Sequence, residues 1–292
     1  MSLEPAECST SLFPVGSIEE TLRLSLQSDL FAPFMDVLFP DGFRLSPLRR
    51  ILDVACGSGG WVVRAAKKHP DVKVIGIDID ESKLQVVRQA VFNAGRDEQP
   101  LPANAEFLRM DALQPLTFED ASFDVVNAQL LSSFVPGGAW LGVLSGCRRM
   151  LRPGGIIRLT EMEIAHTNSE AFETYAAFLA RALQRAGLSF SPTGRDLSIT
   201  PVLAPLLREA GFRPFHQQAN FLNFSYGESG HRYSYQNVLA AFKLAQNFLV
   251  SRNVARPQEI EHVYLQVLAE MRQQTFRGGA FFLTVWAEKP VA

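Results

Sequence analysis

Acidic residues and glycines follow one predicted strand at a spacing that could bind a charged ligand. Residues 51–55 read as a buried parallel strand, and Gly57 and Gly59 then allow a tight turn without a Cβ near a ligand. Asp53 lies inside the end of this strand. A dinucleotide site favours an uncharged glycine turn beneath a pyrophosphate, whereas a carboxylate here suits a positively charged ligand.

The segment Asp53-Val54-Ala55-Cys56-Gly57-Ser58-Gly59 resembles the first motif of class I S-adenosylmethionine-dependent methyltransferases. That motif is usually acid-x-Gly-x-Gly-x-Gly, and Ala55 stands where the first glycine is expected. The same departure is familiar in the ubiquinone and menaquinone methyltransferases. The resemblance spans about residues 48–165 and implies S-adenosylmethionine as cofactor, with S-adenosylhomocysteine as product.

Two further acids follow later strands. Asp78 ends the second strand about 20 residues beyond the glycines, where a carboxylate can accept both ribose hydroxyls. NAD enzymes share that feature, so Asp111-Ala112 after the third strand is more informative. The resemblance implies that Asp111 accepts the adenine amino group, that the Ala112 amide meets a ring nitrogen, and that Ile79 covers the adenine face. The competing interpretation is a surface carboxylate that caps the next helix.

The fourth strand, 123–127, continues into Ala128-Gln129 and resembles the motif whose main-chain carbonyl receives the methionine amino group. That role belongs to the backbone, so a contact through the Asn127 side chain stays open. The predicted cofactor-binding residues are therefore Asp53, Ala55, Gly57, Gly59, Asp78, Ile79, Asp111, Ala112 and Asn127.

Methyl transfer is an in-line displacement, so the protein must mainly exclude water and align the acceptor. An oxygen acceptor can also need a base to remove its proton. His166, just past the fifth strand, is the first candidate. Glu163 is the second, because Glu161 and Glu163 point to opposite faces and one of them could reach the cleft. His231 lies in a glycine-flanked loop and is the third. Each could instead be an exposed or helix-capping residue.

The order of elements predicts an α/β fold: a doubly wound, Rossmann-like, seven-stranded and mostly parallel sheet with an antiparallel last strand. Strands are expected at 51–55, 73–78, 105–110, 123–128, 156–162, 212–224 and 280–288. Helices are expected near 60–69, 82–95, 129–135, 139–151, 168–187, 201–210, 233–250 and 258–276. Three regions follow: a tail and helical lid at 1–47, a cofactor-binding core at 48–165, and a C-terminal half at 166–292 with a helical cap at about 226–277.

The lid and the cap each have two interpretations. Ser17 with Glu20 three residues on forms a capping box that opens an apolar helix, and residues 1–16 before it look like a loose tail. That helix either packs on the edge of the sheet or covers the active site. The cap helices separate two strands that normally form a hairpin, and they either enclose an acceptor or only add structure.

Composition limits the classes of function. Lys and Arg number 28 against 30 Asp and Glu, for a net charge of −2, so nucleic acid is a poor substrate. Cys8, Cys56 and Cys147 have no zinc or disulfide spacing, and no run reaches the roughly 18 apolar residues of a membrane span. We expect a cytoplasmic monomer or homodimer without a metal and without membrane insertion, acting on a small molecule.

Many of the 22 phenylalanines lie in the lid and cap, which favours an apolar or aromatic acceptor of the secondary-metabolite type. The main alternative is an enzyme that binds S-adenosylmethionine without spending it and catalyses a cyclisation or rearrangement. An NAD-dependent oxidoreductase is disfavoured by Asp53 and by Asp111-Ala112. A non-catalytic binding subunit is the remaining alternative.

Overall fold

A computed structural model describes residues 11–89, 92–93, 98–99 and 101–291. Among them, eight strands form one sheet in the order β5-β2-β1-β6-β7-β10, with β8 and β9 also paired to β10. β5, β2, β1, β6 and β7 run parallel, and β10 runs antiparallel to β7, β8 and β9. The strands are β1 (Arg50–Val54), β2 (Lys73–Asp78), β5 (Ala105–Arg109), β6 (Phe123–Gln129), β7 (Leu151–Met162), β8 (His166–Thr167), β9 (Arg213–Asn223) and β10 (Gly278–Glu288).

Helices cover both faces of the sheet because successive strand residues point to opposite sides. Ile51 packs with α2 and α3, whereas its neighbour Leu52 packs in the core on the other face, and Val125 and Val126 divide in the same way. Helices also connect the parallel strands. The helices are α1 (Ile18–Met35), α2 (Gly60–Lys68), α3 (Glu81–Gln89), α4 (Trp140–Met150), α5 (Glu170–Arg185), α6 (Leu203–Glu209), α7 (His231–Ser251) and α8 (Pro257–Glu270), with 3-10 turns at Leu131–Ser133, Gly137–Ala139 and Thr200–Val202.

The fold class predicted from the sequence is confirmed, with local differences. The helix expected over 82–95 ends at Gln89, and β3 (Phe92–Asn93) pairs with β4 (Glu98–Gln99) in a separate hairpin. Residues 90–91 and 94–95 lie outside the described residues. The helix expected over 258–276 ends at Glu270. β8 was not predicted, because two residues carry no periodicity that a pattern could detect.

The lid helix α1 begins where the capping box predicts. The Ser17 side chain accepts a hydrogen bond from the Glu20 amide at 3.2 Å. The Glu20 carboxylate does not return to the Ser17 amide and instead pairs with Arg23 at 2.6 Å. The expectation of a loose tail over residues 1–16 is wrong in part. Hydrogen bonds from the Leu12 amide to the Ser133 carbonyl and from the Gly16 amide to Asp80 hold residues 11–16 in place. Residues 1–10 lie outside the described residues.

The cap helices α7 and α8 lie between β9 and β10, as predicted, and share the core of the protein. Tyr175 of α5 stacks on Phe242 of α7, with ring centroids 4.1 Å apart. Arg23 of α1 donates to Asn237 of α7 at 3.0 Å, so the lid and the cap touch. In the described part of the chain, no helix combines the length and hydropathy that crossing a membrane requires.

Candidate active site

One cavity of about 1040 Å³ joins the carboxyl ends of the strands, the lid and the cap. Small-molecule pockets usually measure about 300–1,000 Å³, so the volume of this cavity lies at the upper end of that range. Seven of the nine predicted cofactor residues form one end of its wall. The inner faces of α1, α5 and α7 form the other. A cofactor and an acceptor could therefore meet inside one cavity.

Asp53 lies at the carboxyl end of β1 on this wall and is only 3% exposed. Its Oδ1 accepts a hydrogen bond from the Asn127 side-chain amide at 2.7 Å, and Asn127 Oδ1 accepts from Arg158 at 2.7 Å. Burial raises the pKa of Asp53 to about 7, while the Asn127 hydrogen bond and the charge of Arg158 oppose that rise. A cation at this carboxylate would favour its ionised form.

The glycine turn explains why the first motif tolerates few side chains. Ala55, Gly57 and Gly59 all have positive φ, at 57°, 56° and 73°. Ala55 therefore occupies the left-handed region where a glycine is usual, at a cost of about 1–2 kcal/mol for its Cβ. At Gly59 a Cβ would lie 2.6 Å from the Phe107 ring. Gly59 does not line the cavity, so its role here is close packing at the start of α2.

Asp78 holds the turn in place. Its Oδ2 accepts from the Gly57 amide at 2.9 Å, and its Oδ1 accepts from the Asp80 amide at 2.9 Å. The carboxylate also lies on the cavity wall, as a ribose-binding residue would. Asp78 thus couples the end of β2 to the end of β1.

The predicted adenine end is formed by Ile79, Asp111 and Ala112, all on the cavity wall. Ile79 is 46% exposed, which leaves a face free for a planar ring. Asp111 Oδ1 accepts from the Leu113 amide at 2.9 Å. This bond closes a turn and does not cap a helix, because no helix lies between β5 and β6, and it leaves the other carboxylate oxygen for a ligand.

The far end of the cavity is apolar. Buried side chains from the lid, α5, β9, α7 and β10 line it, and aromatic rings are frequent among them. They include Phe31, Met35, Phe172, Leu183, Leu222, Phe224, Val238, Phe242, Ala245 and Ala280.

The charged groups at this apolar end are already paired. Glu20 and Arg23 form an ion pair at 2.6 Å with both side chains 3% exposed, and the Arg23 guanidinium lies over the Phe13 ring. Glu163 lines the cavity, but its carboxylate accepts from the Ser198 amide at 3.0 Å and from the Thr200 amide and hydroxyl at 2.8 Å each. Glu163 therefore anchors the 198–200 segment.

Neither histidine predicted as a base reaches the cavity wall. His166 is exposed on β8, where it pairs with Gly279 of β10. His231 begins α7, and its Nδ1 lies 3.0 Å from the Phe224 carbonyl, beside the rings of Tyr226 and Phe276. These placements correct the expectation that the end of the fifth strand turns His166 inward, because β8 adds to the sheet edge and directs it to solvent.

Asn127 is also placed differently from the expectation. Its side chain is fully buried, bridges Asp53 and Arg158, and does not line the cavity. A direct contact of that side chain with a cofactor is therefore not favoured. The neighbouring residue Gln129, at the end of β6, does line the cavity.

Sequence reasoning missed three residues that matter to the site. Gln129 and Ser234 line the cavity, and the buried atoms Gln129 Nε2 and Ser234 Oγ lack a hydrogen-bond partner, which leaves their hydrogen-bonding capacity unused. Arg158 supports Asp53 from the middle of β7. A signal for Arg158 was present, because an arginine interrupts the otherwise apolar run Ile156-Ile157-Arg158-Leu159.

The residues fit S-adenosylmethionine. Asp53 offers a buried carboxylate to a cation, Asp78 lies on the same wall of the cavity, and Gln129, whose side-chain amide lacks a partner, lies at the end of β6. Among the described residues, no group of three or more His, Cys, Asp or Glu side chains could hold a metal ion.

Comparison with known proteins agrees with this geometry. Residues 51–155 match a family described as a methyltransferase domain. Methyltransferase str2 of Strobilurus tenacellus is 32% identical over 53% of this chain and 48% of its own length. The 27-O-demethylrifamycin SV methyltransferase of Amycolatopsis mediterranei is 36% identical over 39% of each chain. The chain spans about half the length of the first curated relatives it matches.

A solved protein of Bacillus halodurans, provisionally assigned as a methyltransferase, superposes with a TM-score of 0.50 at 19% identity, over 92% of this chain and 99% of that one. This likeness concerns the fold alone. The match over residues 51–155 shows a methyltransferase domain in that part of the chain.

Proposed function

We propose that the protein transfers a methyl group from S-adenosylmethionine to a small, apolar or aromatic acceptor of the secondary-metabolite type. The observation that carries this proposal is the single cavity, which joins the Asp53, Asp78 and Asp111 carboxylates to an apolar chamber under the lid and the cap. The names of the relatives support a small-molecule acceptor, since one of them acts on a demethylated rifamycin.

The acceptor is uncharged. A charged acceptor would need an opposite charge in the chamber, because an unpaired ion is costly to bury. Glu20 and Arg23 neutralise each other, and the Glu163 carboxylate already accepts three hydrogen bonds from neutral donors. On the described wall of the cavity, the buried polar atoms without a partner are Gln129 Nε2 and Ser234 Oγ, which are neutral and would suit a hydroxyl or carbonyl group.

The chain's own residues mainly position the reactants and exclude water. When bound, S-adenosylmethionine supplies a methyl carbon already activated by the sulfonium. Asp53 holds the positive end, and Asp78 keeps the glycine turn rigid through the Gly57 amide. The apolar walls of α1, α5 and α7 exclude water and limit the orientations of an acceptor, which favours such a displacement.

The test uses S-adenosylmethionine with a deuterated methyl group and a panel of neutral aromatic hydroxyl compounds and quinones, matched in size to charged analogues. We expect mass spectrometry to find the labelled methyl on neutral acceptors, with an equal amount of S-adenosylhomocysteine. Transfer to the charged analogues alone would contradict the proposed acceptor class. Conversion of an acceptor without the label and without S-adenosylhomocysteine would instead support a cyclase or rearrangement catalyst.

A further inference from the structure

Arg158 is a fully buried arginine whose hydrogen bonds join the cofactor end of the sheet to the lid. Its Nη1 donates to Asn127 Oδ1 at 2.7 Å, and Asn127 donates in turn to Asp53 at 2.7 Å. On its other side, Nη2 donates to the Met35 carbonyl at 2.7 Å and Nε donates to the Val37 carbonyl at 2.8 Å. All three bonds of the guanidinium go to uncharged oxygens.

Met35 is the last residue of the lid helix, and Val37 lies two residues beyond it. The last turn of α1 has no basic residue of its own, although a cation there would favour the helix dipole. Arg158 supplies that cation from β7. Trp61 of α2 donates to the same Met35 carbonyl at 3.1 Å, so the end of the lid is fixed to the sheet side of the cavity.

The same lid helix covers the glycine turn. A Cβ at Gly57 would lie 3.5 Å from the Leu24 side chain, and a Cβ at Gly60 would collide with Ser28. A cofactor at the turn would therefore lie directly beneath α1. The end of that helix is held by the arginine that also supports Asp53.

We propose that Arg158 is a positioning residue that links Asp53 to the lid, so that filling the cofactor site tightens the C-terminal end of α1. We use the name lid relay for the series of hydrogen bonds that runs from Asp53 through Asn127 and Arg158 to the Met35 and Val37 carbonyls. The proposal rests on the proposed cofactor binding and extends it, because it assigns a response of the lid to the charge state of one carboxylate.

Charge supplies the physical link. Asp53 is faced by Asn127 on β6, Arg158 on β7, Asp78 on β2 and Arg64 on α2. Its pKa of about 7 leaves it partly protonated in the free protein at neutral pH, since burial opposes ionisation. A cofactor ammonium group would ionise it fully. The Asn127 bond then becomes charge-assisted, and Asn127 and Arg158 are held more firmly in the orientation that binds the lid carbonyls.

The test is hydrogen exchange of peptides covering residues 30–38, with and without saturating S-adenosylhomocysteine. In the parent protein we expect the ligand to slow exchange about 5-fold or more, the lower end of ordinary coupling between sites. In Arg158→Met the ligand should still bind, but the slowing should fall below about 2-fold. The matched control is Arg152→Met. Arg152 lies on the same strand as Arg158, but it pairs with Asp124. In this control the ligand should slow exchange as much as it does in the parent protein.

Asn127→Ala provides a second variant in case Arg158→Met fails to fold. It interrupts the relay while Arg158 still donates to Met35 and Val37, so the free lid should exchange nearly as in the parent, and the ligand response should be lost. The relay is wrong if either variant binds ligand and keeps the parental slowing, or if the parent binds ligand without slowing. Failure of the parent to bind S-adenosylhomocysteine at all would instead overturn the proposed function.

Discussion

Asp53 is the residue whose surroundings say most about the ligand. A carboxylate that is 3% exposed, with a pKa raised to about 7 by burial, is only partly ionised at neutral pH, and a bound cation would favour its ionised form. Its position in the first motif could be predicted from the sequence. Its dependence on Asn127 and Arg158 could not, because the partners come from β6 and β7, 74 and 105 positions away (127 − 53 and 158 − 53).

The raised pKa of Asp53 predicts a pH dependence of cofactor binding. The ligand's ammonium group binds the ionised form, so below about pH 7 the free protein must first release a proton. Affinity for S-adenosylhomocysteine should therefore fall by up to about tenfold per pH unit below 7 and level off above it. Calorimetric titration at several pH values measures this. Asp53→Asn should bind weakly and without that pH dependence, and an equal slope in this variant would assign the proton to another group.

Asp78 has two tasks, and its variants should separate them. It holds the Gly57 amide, and it offers an oxygen toward the predicted ribose position. Asp78→Ala should weaken S-adenosylhomocysteine binding by about 1–3 kcal/mol, the usual range for polar groups left unpaired. Asp78→Asn keeps an oxygen acceptor and should lose less. Calorimetry in which Asp78→Ala binds as tightly as the parent would remove Asp78 from the site.

The histidines illustrate where a motif argument fails. His166 follows the fifth strand, but β8 continues along β10 and leaves the side chain exposed, while His231 contacts the Phe224 carbonyl. We therefore expect His166→Ala and His231→Ala each to keep turnover within about threefold of the parent, since a lost general base would cost about 10²-fold or more. Steady-state rates across pH decide this. A hundredfold loss of turnover in either variant would show that the substituted histidine acts as the base.

At the scale of elements, the lid and the cap act as walls of one chamber. Their existence could be predicted from the capping box at Ser17 and from the helical periodicity between the last two strands. Their contact through Arg23 and Asn237 could not, because it joins residues 214 positions apart. The sequence alone also could not distinguish a substrate cap from a structural insertion. In the fold, α7 lines the cavity, while α7 and α8 together share the core with α5.

Because the cap shares this core, deleting it would expose buried side chains that pack against it, such as Phe172 and Tyr175 of α5. A point substitution therefore tests the cap better than a deletion does. Ala241 of α7 lines the cavity, and Leu239 on the same helix is 41% exposed and does not. Ala241→Trp should fill part of the chamber and lower acceptor kcat/KM at least about tenfold, with cofactor affinity changed by less than about 1 kcal/mol.

Leu239→Trp adds the same ring outside the chamber and should leave both quantities near the parental values. Steady-state kinetics with the best acceptor from the labelled-methyl panel, together with calorimetry of S-adenosylhomocysteine, give the comparison. Equal kinetics in the two tryptophan variants would show that α7 does not contact the acceptor.

At the scale of the whole molecule, the sheet brings distant carboxylates to one edge because parallel strands end together there. Periodicity and the glycine turn were enough to predict the order of most elements and the fold class, whereas the cofactor residues were predicted from the resemblance to methyltransferases and stay a prediction. The acceptor end could not be predicted residue by residue. It is built from five elements that meet only in the folded chain, and its apolar side chains look like ordinary core positions in the sequence.

The most direct test of this account is calorimetric titration of the purified protein with S-adenosylhomocysteine and, separately, with NAD. The Asp53, Asp78 and Asp111 carboxylates around a glycine turn predict saturable binding of S-adenosylhomocysteine at micromolar affinity and no saturable heat with NAD. Saturation with NAD and no heat with S-adenosylhomocysteine would contradict the account.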